Sequence, residues 1–412
     1  MKTGTADVIV VGAGPAGLAA ATRLRHRGVR EVVVLDREEE GGGVPRHCHH
    51  PSFGLTEFGR PMGGPRYAAA LLRRAAGQNV VVRTGTTVLE VGRESLPYVV
   101  STSPSGLRRW EAEAVILATG CRERPRSARL IPGSRAPGVF TTGELQQFTY
   151  LHRVRVGSRA VIVGAEHVSF SAAMTLADIG IECAGIVTAH AGHQSHPALR
   201  LWATRFGRTP LLAGHRVASI EGRGRVEAVV LETPEGNRTI ETDTVIVTGD
   251  WVAEGSLALR SGLSRDTRNG GRPEVDGDGA TATAGIFAAG SVVLPGESAA
   301  SAVRAGSAVA ENVVRYLRRA VSNGSELGVR WDSSIRWVSP ELTRPGEATP
   351  LRLRVDQWLE RPTVVFRSNG RVVDTVKVRR MIPGRTYTLD ASWAGRLGNG
   401  IREVEVSIGM GW

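Results

Sequence analysis

The sequence predicts an α/β chain: two βαβ units, each with a glycine turn between a buried strand and a helix, followed by a small all-β module. Three observations predict it. Two β-branched runs lead straight into small-residue turns, Asp7–Val11 into Gly12 and Ala160–Val163 into Gly164. Each turn opens an Ala-rich stretch of helical character that ends before a second apolar run, so strand and helix patterning alternate. Past residue 322 the usage changes, with five of the eight Trp lying after residue 330.

In the first unit, Gly12-Ala13-Gly14-Pro15-Ala16-Gly17 follows the strand, Leu18 to His26 reads as helix ending at Gly28, and Glu31 to Leu35 is a second strand ending at Asp36 and Arg37. This is the dinucleotide fingerprint in its full context. Gly12 permits the tight turn, Gly14 lets the backbone approach a pyrophosphate, and Gly17 lets helix pack on strand. The helix N-terminus that follows the turn offers free N–H groups to phosphate. Asp36, 24 residues after Gly12, is placed to accept hydrogen bonds from a ribose diol. The expectation is a Rossmann-like dinucleotide-binding domain.

The motif alone does not separate NAD from FAD. Two further segments do. Ala114–Gly120 is a buried strand ending in Ala118-Thr119-Gly120, and Thr283–Gly290 is another, followed by Ser291 and a helical stretch from Ser298 to Arg319. These resemble the second and third flavin-binding motifs of the glutathione-reductase-like, two-dinucleotide-domain flavoproteins. That resemblance implies FAD, held by Gly12, Gly14, Pro15, Ala16, Gly17, Asp36, Arg37, Ala118, Thr119, Gly120, Gly290 and Ser291. Ser291 stands where the superfamily has Asp, so a ribityl contact there is a neutral hydroxyl.

A narrower resemblance rests on Gly41–His50 with Phe53-Gly54, on Gly120–Arg126, on Ile131-Pro132-Gly133 and on Gly138–Gln147. Over roughly residues 5–320 the chain is similar to a branch containing the opine oxidase FAD subunit, the hydrogen cyanide synthase B subunit and oxidoreductases associated with glycerol-3-phosphate dehydrogenases. It implies hydride or electron transfer from a small amine or hydroxy-acid donor, and a partner dehydrogenase subunit or a homo-oligomer. Two alternatives stay open: a non-catalytic FAD-binding or electron-relay subunit, and an NAD(P)H-dependent flavin reductase. Some members of the branch carry a Cys-rich iron–sulfur segment near the C-terminus. This chain has no Cys after Cys183, which excludes a thiolate-ligated cluster there.

His47-Cys48-His49-His50 follows the ribose acid by about a dozen residues, and His47, Cys48 and His49 are the catalytic candidates, as donors to the flavin ring or to substrate. Four ligand types in a row diverge and do not converge on one ion, and His190, His193 and His196 are unevenly spaced, so no metal is expected. A redox pair of Cys48 with Cys121 is a further alternative, and solvated loop histidines are another.

The second unit keeps the pattern and loses the fingerprint. Gly164-Ala165-Glu166-His167-Val168-Ser169 has Glu166 where a backbone would meet pyrophosphate, and no acid follows the strand Ile181–Thr188. Neither Arg200 nor Arg205 is patterned to clamp a 2′-phosphate. NAD(P) binding is therefore possible on a degraded motif, with a purely architectural domain as the alternative. Gly222–Val230 and Thr239–Val247 read as β-rich, and Thr248–Val252 returns the chain to the first domain.

Asn323-Gly324-Ser325 is a linker candidate, and short strands are expected at 352–355, 363–367, 371–378, 385–389 and 403–408, with Asn369-Gly370 as a hairpin turn. The expected domains are residues 1–145 with 250–320 for FAD, 146–249 for the NAD(P)-like fold, and 325–412 for the β module, whose role would be docking or a lid.

Composition bounds the rest. The 412 residues allow two or three domains, and 41% hydrophobic with 22% charged residues is globular usage. Lys and Arg number 52 against 40 Asp and Glu, a formal net charge of +12. Only Lys2 and Lys377 are lysines, and the arginines are scattered, which reads as a coding bias and not as a nucleic-acid surface. Three Cys without a CxxC fit a reducing cytoplasm, and no apolar run reaches the length of a membrane span.

Overall fold

The computed structural model describes residues 2–195, 197, 201, 209–318, 327–343, 349–390, 392–395 and 401–410. His196, Arg200, Arg205 and the linker candidate Asn323–Ser325 lie outside the described residues.

The first sheet has seven strands. Strand β1 (Lys2–Val11) pairs in parallel with β2 (Val32–Leu35) on one side and with Gly106–Leu117 on the other. Val81–Arg83 extends the β2 side, and Ile286–Ala288 adds in parallel to the far side of Gly106–Leu117. The strands Pro97–Ser103 and Thr87–Arg93 continue the sheet antiparallel. Register brings Val11, Leu35, Leu117 and Ala288 to one edge. Strand order reverses at β1, and such a switch point leaves a crevice outside the strand C-termini.

The β-branched runs are buried because both faces of this sheet are covered. On one face Val8, Val10, Val32, Val34 and Ile116 meet Leu18 and Leu24 of helix α1 (Pro15–His26), with Tyr67 and Leu71 of Gly64–Ala76 and Val309 and Val313 of Ala299–Leu317. On the other face Ile9, Val11, Val33, Leu35 and Leu117 join one continuous core with Trp337, Leu353, Phe366 and Trp393 of the C-terminal strands.

The second sheet is parallel throughout, in the order Leu211–Ala213, Glu182–Thr188, Arg159–Val163, Thr244–Val247, Val139–Thr141. The strand Val139–Thr141 precedes residue 146 and still pairs here. Helix His167–Asp178 covers one face through Phe170 and Leu176. A three-stranded antiparallel sheet, Arg216–Glu221, Ala228–Thr233 and Gly236–Glu241, covers the other through Ile220, Val229 and Leu231. The stretch Gly222–Val230, expected to be β-rich, begins with the turn between two of these strands.

Two chain passages link the sheets. Cys121–Glu123 leaves the first sheet and Trp251–Ala253 returns to it, and they pair antiparallel. The C-terminal module holds a five-stranded sheet and a three-stranded sheet. Asn369 and Gly370, both at positive φ (50° and 75°), turn the hairpin between Pro362–Ser368 and Arg371–Lys377.

Candidate active site

The first glycine turn lies at the C-terminal edge of the first sheet, and each glycine has a different reason. Gly12 has φ +108°, where a side chain would strain the backbone and meet the Ala118 carbonyl. A Cβ on Gly17 would fall into the Gly12 carbonyl oxygen. Gly14 is extended (φ −77°, ψ −176°), and a Cβ there would meet only the Gly43 Cα, at 4.0 Å. Its smallness serves open space. Helix α1 begins at Pro15 with no side chain capping its first turn and no acid in it, so its N–H groups are free for an anion.

Asp36 ties the turn to the second strand. One carboxylate oxygen accepts from the Ala13 N–H and the other from the Glu38 N–H at 2.9 Å. Arg37 is exposed and pairs with Glu38 at 3.5 Å. Ala118 donates its N–H to Val11, Thr119 donates its hydroxyl to the Glu254 carbonyl at 2.9 Å, and Gly120 sits at φ +81°. Gly290 (φ +77°) closes against Ala16, and Ser291 follows in the same turn. Gly306 also abuts Ala16, so helix Ala299–Leu317 crosses α1 close to its start.

The stretch His47–His50 begins beside this cradle. Gly42 donates its N–H to Ala13 at 2.8 Å, Gly43 rests on Gly14, and a single 3-10 turn, Val44–His47, follows. The four side chains separate. His47 is buried (6% exposed), its Nδ1 has no protein partner, and burial lowers its pKa to about 4. Cys48 donates its thiol to Gln146 Oε1 at 3.1 Å, and burial, helped by the charge of Glu123, pushes its pKa up to about 12. His49 stacks on Tyr150 with centroids 3.7 Å apart, and the Tyr150 hydroxyl donates to Asp178 at 3.0 Å. His50 lies against Phe53 and Ser52. Gln146 in turn donates to Ser171 at 2.9 Å, so the stretch is keyed to helix His167–Asp178. Among the described residues no group of three or more His, Cys, Asp or Glu is arranged to hold a metal.

Sequence reasoning missed Glu123. It is buried (7% exposed) where the two linking passages cross, and it accepts from the Gly143 N–H at 3.0 Å and the Gly249 N–H at 2.9 Å. Burial raises its pKa to about 7 against those two donors. No local signal marks it, because its partners are far apart in sequence. All three cysteines are free thiols, and burial also raises Cys121 to about 11.

In the second turn Gly164 keeps φ +123°. At the start of helix His167–Asp178 the Ser169 hydroxyl accepts from the Glu166 N–H at 3.0 Å, the Ser169 N–H donates to the Glu166 carbonyl at 3.1 Å, and the Glu166 carboxylate lies against Gly249. Burial raises the Glu166 pKa, opposed by Arg354, Arg336 and Arg129.

Known proteins share both the sequence pattern and the fold. The opine oxidase A subunit of Agrobacterium tumefaciens is 27% identical over 308 residues, 69% of this chain and 60% of that protein. The hydrogen cyanide synthase subunit HcnB of Pseudomonas protegens is 29% identical over 266 residues, 61% of this chain and 53% of that protein, so the chain spans less than two thirds of the length of these relatives. Thioredoxin reductase of T. acidophilum superposes with a TM-score of 0.62 at 22% identity, covering 77% of this chain and 99% of that one, a likeness of fold. Residues 6–307 match the model of the pyridine nucleotide-disulphide oxidoreductases, and the chain belongs to that family.

Proposed function

We propose that the chain is the FAD-binding subunit of a dehydrogenase that takes hydride from a small amine or hydroxy-acid donor and passes the electrons to a partner subunit. The observation that carries this reading is the open cradle at Gly14, with an uncapped helix start beside it. FAD, when bound, supplies uptake of two electrons as hydride from a C–H bond next to nitrogen or oxygen. The N–H groups at the start of α1 would hold the pyrophosphate and Asp36 the adenine ribose, with Ala118–Gly120, Gly290 and Ser291 as the residues that would line the remaining length.

His47 is the side chain to which this reading gives the role at the reacting end, because it is buried beside the cradle with an unpartnered Nδ1. It is neutral at physiological pH, and its Nδ1 is left for one hydrogen bond to ring or donor. Cys48 and His49 position it: the first is a protonated thiol anchored on Gln146, the second is stacked on Tyr150. A thiol held near a pKa of 12 is a poor nucleophile, which speaks against a redox role for Cys48. The subunit relatives support a partner chain, and a cytoplasmic setting belongs to the same reading.

The test is the absorbance spectrum of the chain expressed alone, followed by anaerobic titration with small amines and 2-hydroxy acids. Flavin bands that bleach with one donor class support the reading. A colourless protein that takes up no added FAD overturns it. Flavin that no donor bleaches assigns the chain the relay role instead.

A further inference from the structure

We infer that the second dinucleotide fold is closed by the chain itself: the Glu166 carboxylate fills the phosphate position, and the C-terminal module's Gly384–Arg385 turn seals it. This rests on the family reading, and concerns what that fold excludes. Four layers of contact carry it. Glu166 stands at the N-cap of its own helix, the position that Gly14 leaves open in the first turn, and its side chain runs from there to Gly249 and Gly384. Behind it, Gly249 leaves no room for a Cβ beside the carboxylate.

The loop that follows strand Glu182–Thr188 folds back over the turn. Gln194 donates its N–H to the Ala165 carbonyl at 2.9 Å, and Ser195 Oγ is bonded to His167 Nδ1. The module closes over both. A Cβ on Gly384 would meet the Glu166 carboxyl carbon at 3.3 Å, and Arg385 donates to the Gln194 and Ser195 carbonyls at 3.4 and 3.2 Å. The turn is fixed by Arg385 N–H donating to Ile382 at 3.2 Å.

The module is also fastened to the chain around the turn. Arg336 pairs with Asp250 in the return passage, and Arg354 donates to the Pro295 carbonyl at 2.7 Å and to Thr386 Oγ1 at 3.0 Å. Arg336 and Arg354 are among the cations that oppose the charge cost of Glu166. A carboxylate that excludes anionic phosphate is thereby tolerated in a part-buried site. Electrons consequently enter and leave without a nicotinamide nucleotide bound to this fold.

The experiment uses the full chain loaded with FAD, and follows NADH and NADPH binding by calorimetry, which does not depend on turnover. Wild type is expected to show no binding at about 1 mM nucleotide. Glu166→Gly keeps the seal and Arg385→Ala keeps the carboxylate, so each alone is expected to stay silent. The double variant is expected to bind, and Arg385→Ala is expected to speed hydrogen exchange in residues 190–195. Flavin content reports folding of each variant. Nucleotide binding by wild type, or by Glu166→Gly alone as tightly as by the double variant, overturns the inference. So does a flavin-loaded double variant with faster exchange at 190–195 that still binds no nucleotide. Loss of donor oxidation with these binding results intact would instead count against the proposed dehydrogenase activity.

Discussion

The two glycine turns share a backbone and differ in what occupies it. Gly12 and Gly164 hold φ of +108° and +123°, and the second positions, Gly14 and Glu166, are both extended, at φ −77° and −84°. Any residue adopts that extended conformation. The fold therefore does not require glycine at position 14, and under the proposed FAD reading the requirement comes from the ligand; Glu166 shows the same frame without glycine. The third positions differ in packing. Gly17 touches the turn carbonyl so closely that no Cβ fits, whereas Ser169 is accommodated and its hydroxyl bonds Thr248 Oγ1 at 2.6 Å. The first helix is pressed on its strand; the second stands off by a side chain.

The largest effect is expected at the third position. Gly17→Ala is expected to destabilise the first unit by more than about 3 kcal/mol, because backbone must move to admit the methyl. Ser169→Ala should cost only about 2 kcal/mol for its two lost hydrogen bonds, to the Glu166 N–H and Thr248 Oγ1. Thermal melts of both variants check it, and equal losses would mean that the two helices pack alike.

Next is the second position. Gly14→Glu copies Glu166 into the first turn. The chain should still fold, since the nearest atom to the new Cβ lies at 4.0 Å, but FAD affinity should fall by at least about 100-fold, or about 2.8 kcal/mol. Flavin retained through gel filtration would place the pyrophosphate elsewhere.

The glycine turns, the β-branched strands and the Asn369-Gly370 hairpin were legible because their causes are local. So was Glu166, whose misfit is visible within a six-residue motif. Glu123 was not, because Gly143 and Gly249 approach it only when the two passages cross. The Gly384–Arg385 turn was equally hidden. Its contacts reach back some 190 residues, and nothing in a Pro-Gly-Arg turn says what it covers. The four residues His47–His50 were legible as a cluster but not in their division of labour, which burial and stacking decide.

That division has a pH signature of two signs. His47 has its folded pKa lowered to about 4 from an ordinary 6.5, so the unfolded chain binds the extra proton and stability rises as pH climbs through that window. Glu123 has its folded pKa raised to about 7 from 4.5, so its contribution is complete at low pH and is lost as pH rises to 7. Each is expected to amount to on the order of 1–3 kcal/mol across its window. Urea midpoints between pH 4 and 7 should steepen upward in Glu123→Gln and lose their rise in His47→Gln. Unchanged profiles in both would mean that neither group is shifted.

The smallest effect is expected at Cys48. Cys48→Ser keeps a donor for Gln146, so FAD binding should persist and activity change less than about tenfold, the scale of one neutral hydrogen bond. A charge-transfer band in the wild type that vanishes in this variant would make Cys48 a redox group.

The core shared by the first sheet and the C-terminal strands has a consequence for how the chain comes apart. Ile9, Leu35 and Leu117 lie in the same apolar cluster as Trp337, Phe366 and Trp393, whereas the second sheet has two clusters of its own. Regions that share a core open together, and regions with separate cores open separately. The residues beyond the family match are thus no detachable appendage. A chain cut near residue 318 would strip Trp337, Leu353, Phe366 and Trp393 from that core and leave part of one face of the sheet that carries the cradle exposed, and would be expected to aggregate before it could be tested for flavin. Heat should release the second unit first, and the first sheet and the module afterwards in a single step.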